Sequence, residues 1–411
     1  MRHISTLIIG AGQAGLAMSH CLNELSEPHV VLERGEIGNS WAQERWDNLT
    51  MQSPNWQSRL PGYHYTGPDP HDYMTMPEVV AYLKSYAAQS AAPIEVGVTV
   101  TSVTREGGHF VVATDKGVWH ATNVVIATGA CNRPAIPAFA NEIPCEITQV
   151  SPLSYSNPEE LPAGGVLVVG ASATGVQLAA EIRASGRPVT LATGNHIRMP
   201  RHYLGHDITW LMEQSGLFSS TLDDIDDVTR ARSLPSLQLI GDRSRRFLDL
   251  NELQGLGVEV VGRLVGCYSG TLQFSGALAN AAALSDLKMN RALSVVDAWA
   301  QQSGLTSTEA PRRFAPTSVP ETPRLTLPLA GGEISTIVWA SGFQPDMSWL
   351  HLPHFDEKGR LQHRGCIVAP GLYVLGLPFL RTRKSTFLGG VGADARVLAQ
   401  HIFETRGRMA A

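Results

Sequence analysis

The 411-residue chain lacks a Cys-x-x-C pair, a basic run and an apolar stretch long enough to cross a bilayer, and each absence removes a class of function. Its five cysteines, Cys21, Cys131, Cys145, Cys267 and Cys366, are odd in number and scattered. That pattern argues against a disulfide framework, a zinc ribbon and the paired thiols of a dithiol reductase, and favours a reduced, cytoplasmic setting. A net charge of −5 without lysine or arginine clusters gives no footprint for nucleic acid or an anionic membrane surface. The N-terminal stretch Thr6–Met18 is interrupted by Gly10, Gly12 and Gly15. It falls short of about 20 apolar residues, so it reads neither as a membrane span nor as a secretory leader. The histidines, His64, His71 and His202 among them, are dispersed, with no metal-ligand spacing and no Ser-His-Asp arrangement, so no metal is expected.

What is present is core and glycine. Apolar residues make up 43% of the chain against 17% charged, enough to fill the two or three domains that a prior of about 100–200 residues per domain allows. The apolar run Leu7–Ile9 leads into Gly10-x-Gly12-x-x-Gly15, then a helical pattern through Leu16, Met18 and Leu22, then Val30–Leu32 ending at Glu33. This reads as strand, turn, helix, strand. A second such unit starts at Gly165, with strand 166–169, turn Gly170-Ala171-Ser172-Ala173-Thr174-Gly175, helix 176–184 and strand 189–192. Between them lie a hairpin region (98–103, 110–114, 118–121), strand 124–127 and a proline-rich crossing at Pro134, Pro137 and Pro144. The segment 310–328 is a second linker, and 215–302 is the least readable, with strands at 258–261 and 264–274 and a helix at 292–300.

In the first turn Gly10 allows a tight bend, Gly12 lets backbone approach a pyrophosphate, and Gly15 lets helix pack on strand; Gln13 and Ala14 complete the turn. The helix N-terminus offers free N–H groups and the positive end of a dipole to phosphate. Glu33, 18 residues after Gly15, is placed to accept from a ribose diol, with Arg34 beside it. In the second turn Ser172 stands at the middle glycine position, and Ala173, Thr174 and Gly175 follow. No acid ends its second strand; Thr193, Asn195 and His196 lie there instead, trailed by Arg198 and Arg201. A missing carboxylate with basic groups nearby suits the 2′-phosphate of NADPH, the alternative being a solvated basic face.

Further segments carry a family resemblance. Gly38-Asn39-Ser40-Trp41 and Arg45-Trp46-Asp47-Asn48-Leu49, continuing through Met51 to Pro54, resemble the flavin-contacting stretch of the class B flavin-dependent monooxygenases. Val124–Gly129 is similar to their first Ala-Thr-Gly strand, Trp339–Asp346 resembles the second with Ser for Thr, and Gly371–Gly376 with Phe387–Gly392 resembles the C-terminal FAD segment. The chain thus resembles bacterial flavin-containing monooxygenase-like proteins and plant indole-pyruvate monooxygenases, over nearly its whole length. The region matching the Baeyer–Villiger fingerprint, Phe139 to Gln149, lacks its Gly and His, which disfavours ketone-to-ester chemistry.

The resemblance implies an α/β fold of two Rossmann-like dinucleotide-binding domains, the NADPH domain (151–330) inserted into an FAD domain (1–150 and 331–411). FAD contacts are expected from Gly10, Gly12, Gln13, Ala14, Gly15, Glu33, Arg34, Ser40, Trp41, Trp46, Met51, Val100, Ala127, Thr128, Gly129, Ser341, Gly342, Leu388 and Gly389. NADPH contacts are expected from Gly170, Ser172–Gly175, Thr193, Asn195, His196, Arg198 and Arg201. Gln52 falls where the family carries an active-site Asn, so its amide is the expected catalytic group, a surface amide being the alternative. The implied reaction takes hydride from NADPH and oxygen from O2 through a C4a-(hydro)peroxyflavin to oxygenate a soft nitrogen or sulfur of a small substrate. The alternatives are an NAD(P)H oxidase or reductase, a Baeyer–Villiger enzyme and, last, a non-catalytic flavin sensor. A homodimer is compatible with the sequence; no nucleic-acid or membrane partner is expected.

Overall fold

A computed structural model describes residues 2–307 and 309–410. The first sheet has eight strands, running 367–369, 372–374, 117–126, 2–9, 29–33 and 94–96, with the strands 100–106 and 109–114 added as a meander on 117–126. The second is a five-stranded parallel sheet in the order 148–150, 334–339, 165–169, 189–192, 259–261. A small antiparallel sheet of 264–268, 271–274 and 326–328 lies after it.

The central strands are continuous apolar runs, as in parallel sheets covered on both faces. Every residue of His29–Glu33 and of Gly165–Val169 is buried. Helix α1 (Gln13–Glu24) packs its face of Leu16, Ala17 and Leu22 on the first sheet. Short α2 (Asn39–Gln43) lies against α3 (Met76–Gln89), which opens on a capping box of Thr75 and Glu78. Helix α4 (Ala173–Ala184) covers the second sheet. Helices α5 (Ile208–Gln214), α6 (Val228–Arg232) and α7 (Leu250–Gly255) punctuate the segment that sequence patterning left unread. The 26-residue α8 (Leu278–Ser303) follows, and α9 (Val391–Ala410) returns to pack on α1.

The insertion topology is as expected: the chain leaves the first sheet after 117–126, builds the second, and rejoins the first with the hairpin 367–369 and 372–374. The boundaries move, however. Thr148–Val150 and Ile334–Trp339, expected in the FAD part, are strands of the second sheet, with Val166 opposite Thr336 and Val169 opposite Trp339. The physical reason is burial: Ile337, Val338 and Trp339 are fully enclosed there. The expected strands 118–121 and 124–127 are one strand, Gly117–Ile126, whose N-terminal half pairs the meander and whose C-terminal half pairs 372–374. The expected strand 264–274 breaks at Ser269 and Gly270, both with positive φ, into a hairpin. The expected helix at 292–300 is the last part of α8. Among the described residues no helix is long and apolar enough to cross a membrane, and no group of His, Cys, Asp or Glu could hold a metal ion.

Candidate functional site: two glycine turns and the loop between them

The two glycine-rich turns share one construction. Gly10 N donates to Leu32 O (2.7 Å) and Gly170 N to Ala192 O (2.8 Å). Both glycines have positive φ, +107° and +111°, and each lies against a carbonyl where a Cβ would not fit: Ala127 O at 2.7 Å and Ala340 O at 2.3 Å. A Cβ on Gly15 would stand 1.9 Å from Gly10 O, and one on Gly175 1.7 Å from Gly170 O. These third glycines are therefore required by helix–strand packing. Gly12 has no neighbour within 4 Å of its absent Cβ, and it caps α1 with no side-chain hydrogen bond. Ser172 caps α4, also without one. At both turns the helix N–H groups remain free for an anion, so the residues present fit a dinucleotide pyrophosphate at each.

Each turn has its own Ala-[Thr/Ser]-Gly strand end. Ala127 N donates to Ile9 O (2.9 Å), and Thr128 Oγ1 is buried without a protein partner. Gly129 and Gly342 both have positive φ and open space where a side chain would be. Ser341 Oγ donates to Ala135 O (2.7 Å), so Ser341 and Gly342 follow Ala340 of the second turn and lie against the segment that continues from Gly129.

Supports around the first turn come from its own unit. Glu33, 7% exposed, accepts from Ala11 N (2.7 Å) and Gly35 N (3.0 Å), which leaves lone pairs of its carboxylate for a diol. Arg34 pairs with Glu44, and Val100 opens its strand just beyond Val98, whose N–H donates to Glu33 O (2.8 Å). Trp41 donates from Nε1 to Gln13 Oε1 (3.1 Å), which draws α2, with Ser40, onto the start of α1. Ala14 is buried, and Leu388 and Gly389 approach from the C-terminal segment; a Cβ on Gly389 would come within 2.6 Å of Gln57 O. Trp46 was expected beside the flavin. It is 3% exposed and lies by Glu181 of α4, while Asp47 N donates to Ser156 O (3.0 Å), so this stretch seats the first unit on the second. Burial raises the Glu181 carboxyl, which accepts from Tyr155 Oη (3.1 Å).

The second turn corrects the basic-group assignment. Thr193 takes the place of Glu33 and donates its N–H to Val261 O (3.0 Å). His196 is buried with Nδ1 on Gly194 O (3.0 Å), and burial lowers its pKa, which keeps the ring neutral near pH 7. Arg198 and Arg201 are 3% and 1% exposed. Arg198 pairs with Asp249 (2.6 Å) and Asp286 (2.8 Å), and Arg201 with Asp207 (2.6 Å). Buried arginines whose charge is already met by carboxylates do not form the basic face expected after this strand. The cation that does lie there is Arg263, exposed, donating to Asn195 Oδ1 (3.0 Å) and making no ion pair among the described residues. It sits two residues past the neighbouring strand Glu259–Val261, so only the pairing of 189–192 with 259–261 brings it to Asn195.

The loop carrying Gln52 is tied to Arg201 and Gly241. Met51 N donates to Met74 O (2.8 Å), and Gln52 is exposed at its side chain while its carbonyl accepts from Arg201 Nη1 (2.6 Å). The free amide is compatible with the catalytic role expected of it. Cys131, just past Gly129, has its thiol pushed up by burial, and no cysteine is disulfide-bonded among the described residues.

Residues 7–206 match the family model described as pyridine nucleotide-disulphide oxidoreductase. An uncharacterized CzcO-like oxidoreductase of Geobacillus kaustophilus is 30% identical over 407 residues, which cover 98% of this chain and 99% of that one. An indole-3-pyruvate monooxygenase, YUCCA1 of Oryza sativa, is 29% identical over 48% of this chain and 50% of its own. Among solved structures, a flavin-containing monooxygenase from Stenotrophomonas maltophilia has the same fold, with a TM-score of 0.69 at 20% identity over 98% of this chain and 99% of that one.

Proposed function

This chain belongs to the CzcO-like oxidoreductases of the flavin-dependent monooxygenase-like family, and on that premise we propose that it is an NADPH- and O2-dependent monooxygenase of a small soft nucleophile, a nitrogen or sulfur compound. The observation that carries the reading is the pair of equivalent turns, each built to leave a helix N-terminus open to a pyrophosphate.

FAD is held at the first turn by Gly10, Gly12, Gln13, Ala14 and Gly15, with Glu33 toward its ribose. Ser40, Trp41, Met51, Ala127–Gly129, Leu388 and Gly389 complete that site. NADPH is held at the second by Gly170, Ser172–Gly175, Thr193 and Asn195, with Arg263 on the 2′-phosphate in place of Arg198 and Arg201. When bound, the flavin supplies acceptance of hydride from NADPH and activation of O2. The protein's own work is positional. Free N–H groups at α1 and α4 bind phosphate, buried Trp46 and Glu181 seat one unit on the other, and the Gln52 amide is free to hydrogen-bond reacting oxygen. The absence of a Cys-x-x-C pair disfavours relay of electrons to a disulfide.

The test is a screen of amines, thioethers and ketones under 18O2, following NADPH oxidation, label in the product and peroxide release. Labelled N- or S-oxide with little peroxide supports the reading. Stoichiometric peroxide with every substrate defeats it in favour of an oxidase, and a labelled ester would make the enzyme a Baeyer–Villiger catalyst.

A further inference from the structure

Four consecutive residues, Gln238–Gly241, touch the second turn at one end and the Thr50–Met51 loop at the other. Gln238 is 1% exposed; its Nε2 donates to Ala171 O of the second turn (2.7 Å), and its backbone N–H to Ile197 O (2.8 Å). Two residues on, Ile240 is buried, and its carbonyl lies 3.5 Å from Nη1 of Arg201, the same nitrogen that donates to Gln52 O at 2.6 Å. Gly241 O accepts from Thr50 Oγ1 (2.6 Å). Gly241 also abuts the loop directly. A Cβ there would stand 2.0 Å from Met51 O, 2.8 Å from Thr50 Oγ1 and 2.9 Å from the Tyr73 side chain. Its φ is not positive, so glycine is needed for close approach rather than for backbone shape.

The first turn shows what this contact replaces. There Ala11 O accepts from Gly38 N (3.1 Å), the residue that caps α2, so the turn is braced by its own unit. The equivalent carbonyl, Ala171 O, is braced instead by a side chain 67 residues away. We infer that residues 238–241 are a strap that fixes the separation of the second turn from the Met51–Gln52 loop, with Gln238 and Gly241 as positioning residues for hydride passage from NADPH to FAD. The inference rests on the proposed function for that step. Four residues span at most about 14 Å when extended, so the strap has little slack. Gln238 to Ile240 are buried, both ends are hydrogen-bonded, and an offset at either end is passed to the other. In the step served, NADPH loses a hydride and becomes NADP+, while FAD gains its two electrons.

The test uses the FAD-loaded full chain with Gly241→Ala, Gln238→Met and a control, Gly255→Ala, whose position has open space around it. Three readouts are FAD content, the rise in Tm given by NADP+, and hydrogen exchange at 50–53 with and without NADP+. A fourth is the anaerobic rate of flavin reduction at saturating NADPH. We expect Gly241→Ala to keep its FAD and its NADP+ response but to reduce about a hundredfold more slowly, the cost of a misplacement on the scale of 1 Å. NADP+ should protect 50–53 in the wild type and the control but not in either strap variant. A reduction rate equal to wild type, or 50–53 protection that survives both substitutions, overturns the strap. So does loss of FAD and NADP+ binding in step with Tm, which would make Gly241 a packing residue only. A wild type whose flavin NADPH does not reduce refutes the proposed function instead, and the exchange readout still decides whether the strap couples the two regions.

Discussion

The turn at Gly10–Gly15 and the turn at Gly170–Gly175 have the same backbone and opposite kinds of support. The first is braced within its own unit: Glu33 takes the Ala11 N–H, Gly38 donates to the Ala11 carbonyl, and Gln13 is held by Trp41 and reaches the Thr386 carbonyl of the C-terminal segment. The second is braced from afar, by Gln238 on Ala171 and by Arg263 reaching Asn195 across a strand pair. A nucleotide that stays put through turnover suits a locally closed site. One that enters and leaves suits a site whose walls belong to a separate segment. The difference teaches that equal glycine spacing specifies the phosphate cradle but not what surrounds it.

The largest expected contrast comes from the third glycines. Gly15→Ala places a Cβ on Gly10 O, and Gly175→Ala one on Gly170 O, each too close to be absorbed without moving backbone. Gly15→Ala should purify without flavin, whereas Gly175→Ala should keep its yellow colour and lose the NADP+ response in a thermal-shift assay. Loss of flavin from both would show that the two sites are not separable. Next, Arg198→Met leaves buried Asp249 and half-buried Asp286 without their cation, and should lower unfolding free energy by about 3–5 kcal/mol in a denaturant titration. A surface-like effect below about 0.5 kcal/mol would restore Arg198 to the nucleotide. Arg263→Ala removes one charge-assisted contact of about 1.5–3 kcal/mol, so KM for NADPH should rise roughly ten- to a hundredfold while that for NADH barely changes. An equal rise for both coenzymes would break the 2′-phosphate assignment.

The smallest effect concerns pH. His363 is held down to about 4 by burial and by the Arg232 guanidinium beside it. Its folded value lies below its unfolded one, so between about 6.5 and 4 the unfolded chain binds the extra proton. Stability from this group should therefore fall as pH drops through that window and change no further below it. His363→Gln should flatten that slope in Tm measured against pH, and an unchanged slope would assign it to other groups.

The local parts of this design were legible in the sequence. The glycine spacing and the run Val30–Leu32 ending in Glu33 depend on neighbours in the chain, and the insertion of one unit into another was marked by motifs on either side of it; all appear in the structure. What was not legible depends on pairing. The trailing arginines look basic in sequence, yet Asp207 and Asp249, at the N-caps of α5 and α7, and Asp286 of α8 neutralise them. Arg263 carries no signal of its own until two strands pair. Ile334–Trp339 sits in the second sheet because its side chains are buried there, a choice its six residues do not announce. Trp46 was expected at the flavin and lies at the seam with α4, since an aromatic reads the same in a pocket or in a core.

Anaerobic NADPH titration of the purified, FAD-loaded chain, run beside Gly175→Ala, tests the division of labour most directly. The account predicts that the wild-type flavin bleaches with one NADPH per FAD, and that Gly175→Ala keeps its flavin but bleaches only at far higher NADPH. A wild-type flavin untouched by NADPH, or a Gly175→Ala protein that bleaches like the wild type, would contradict it.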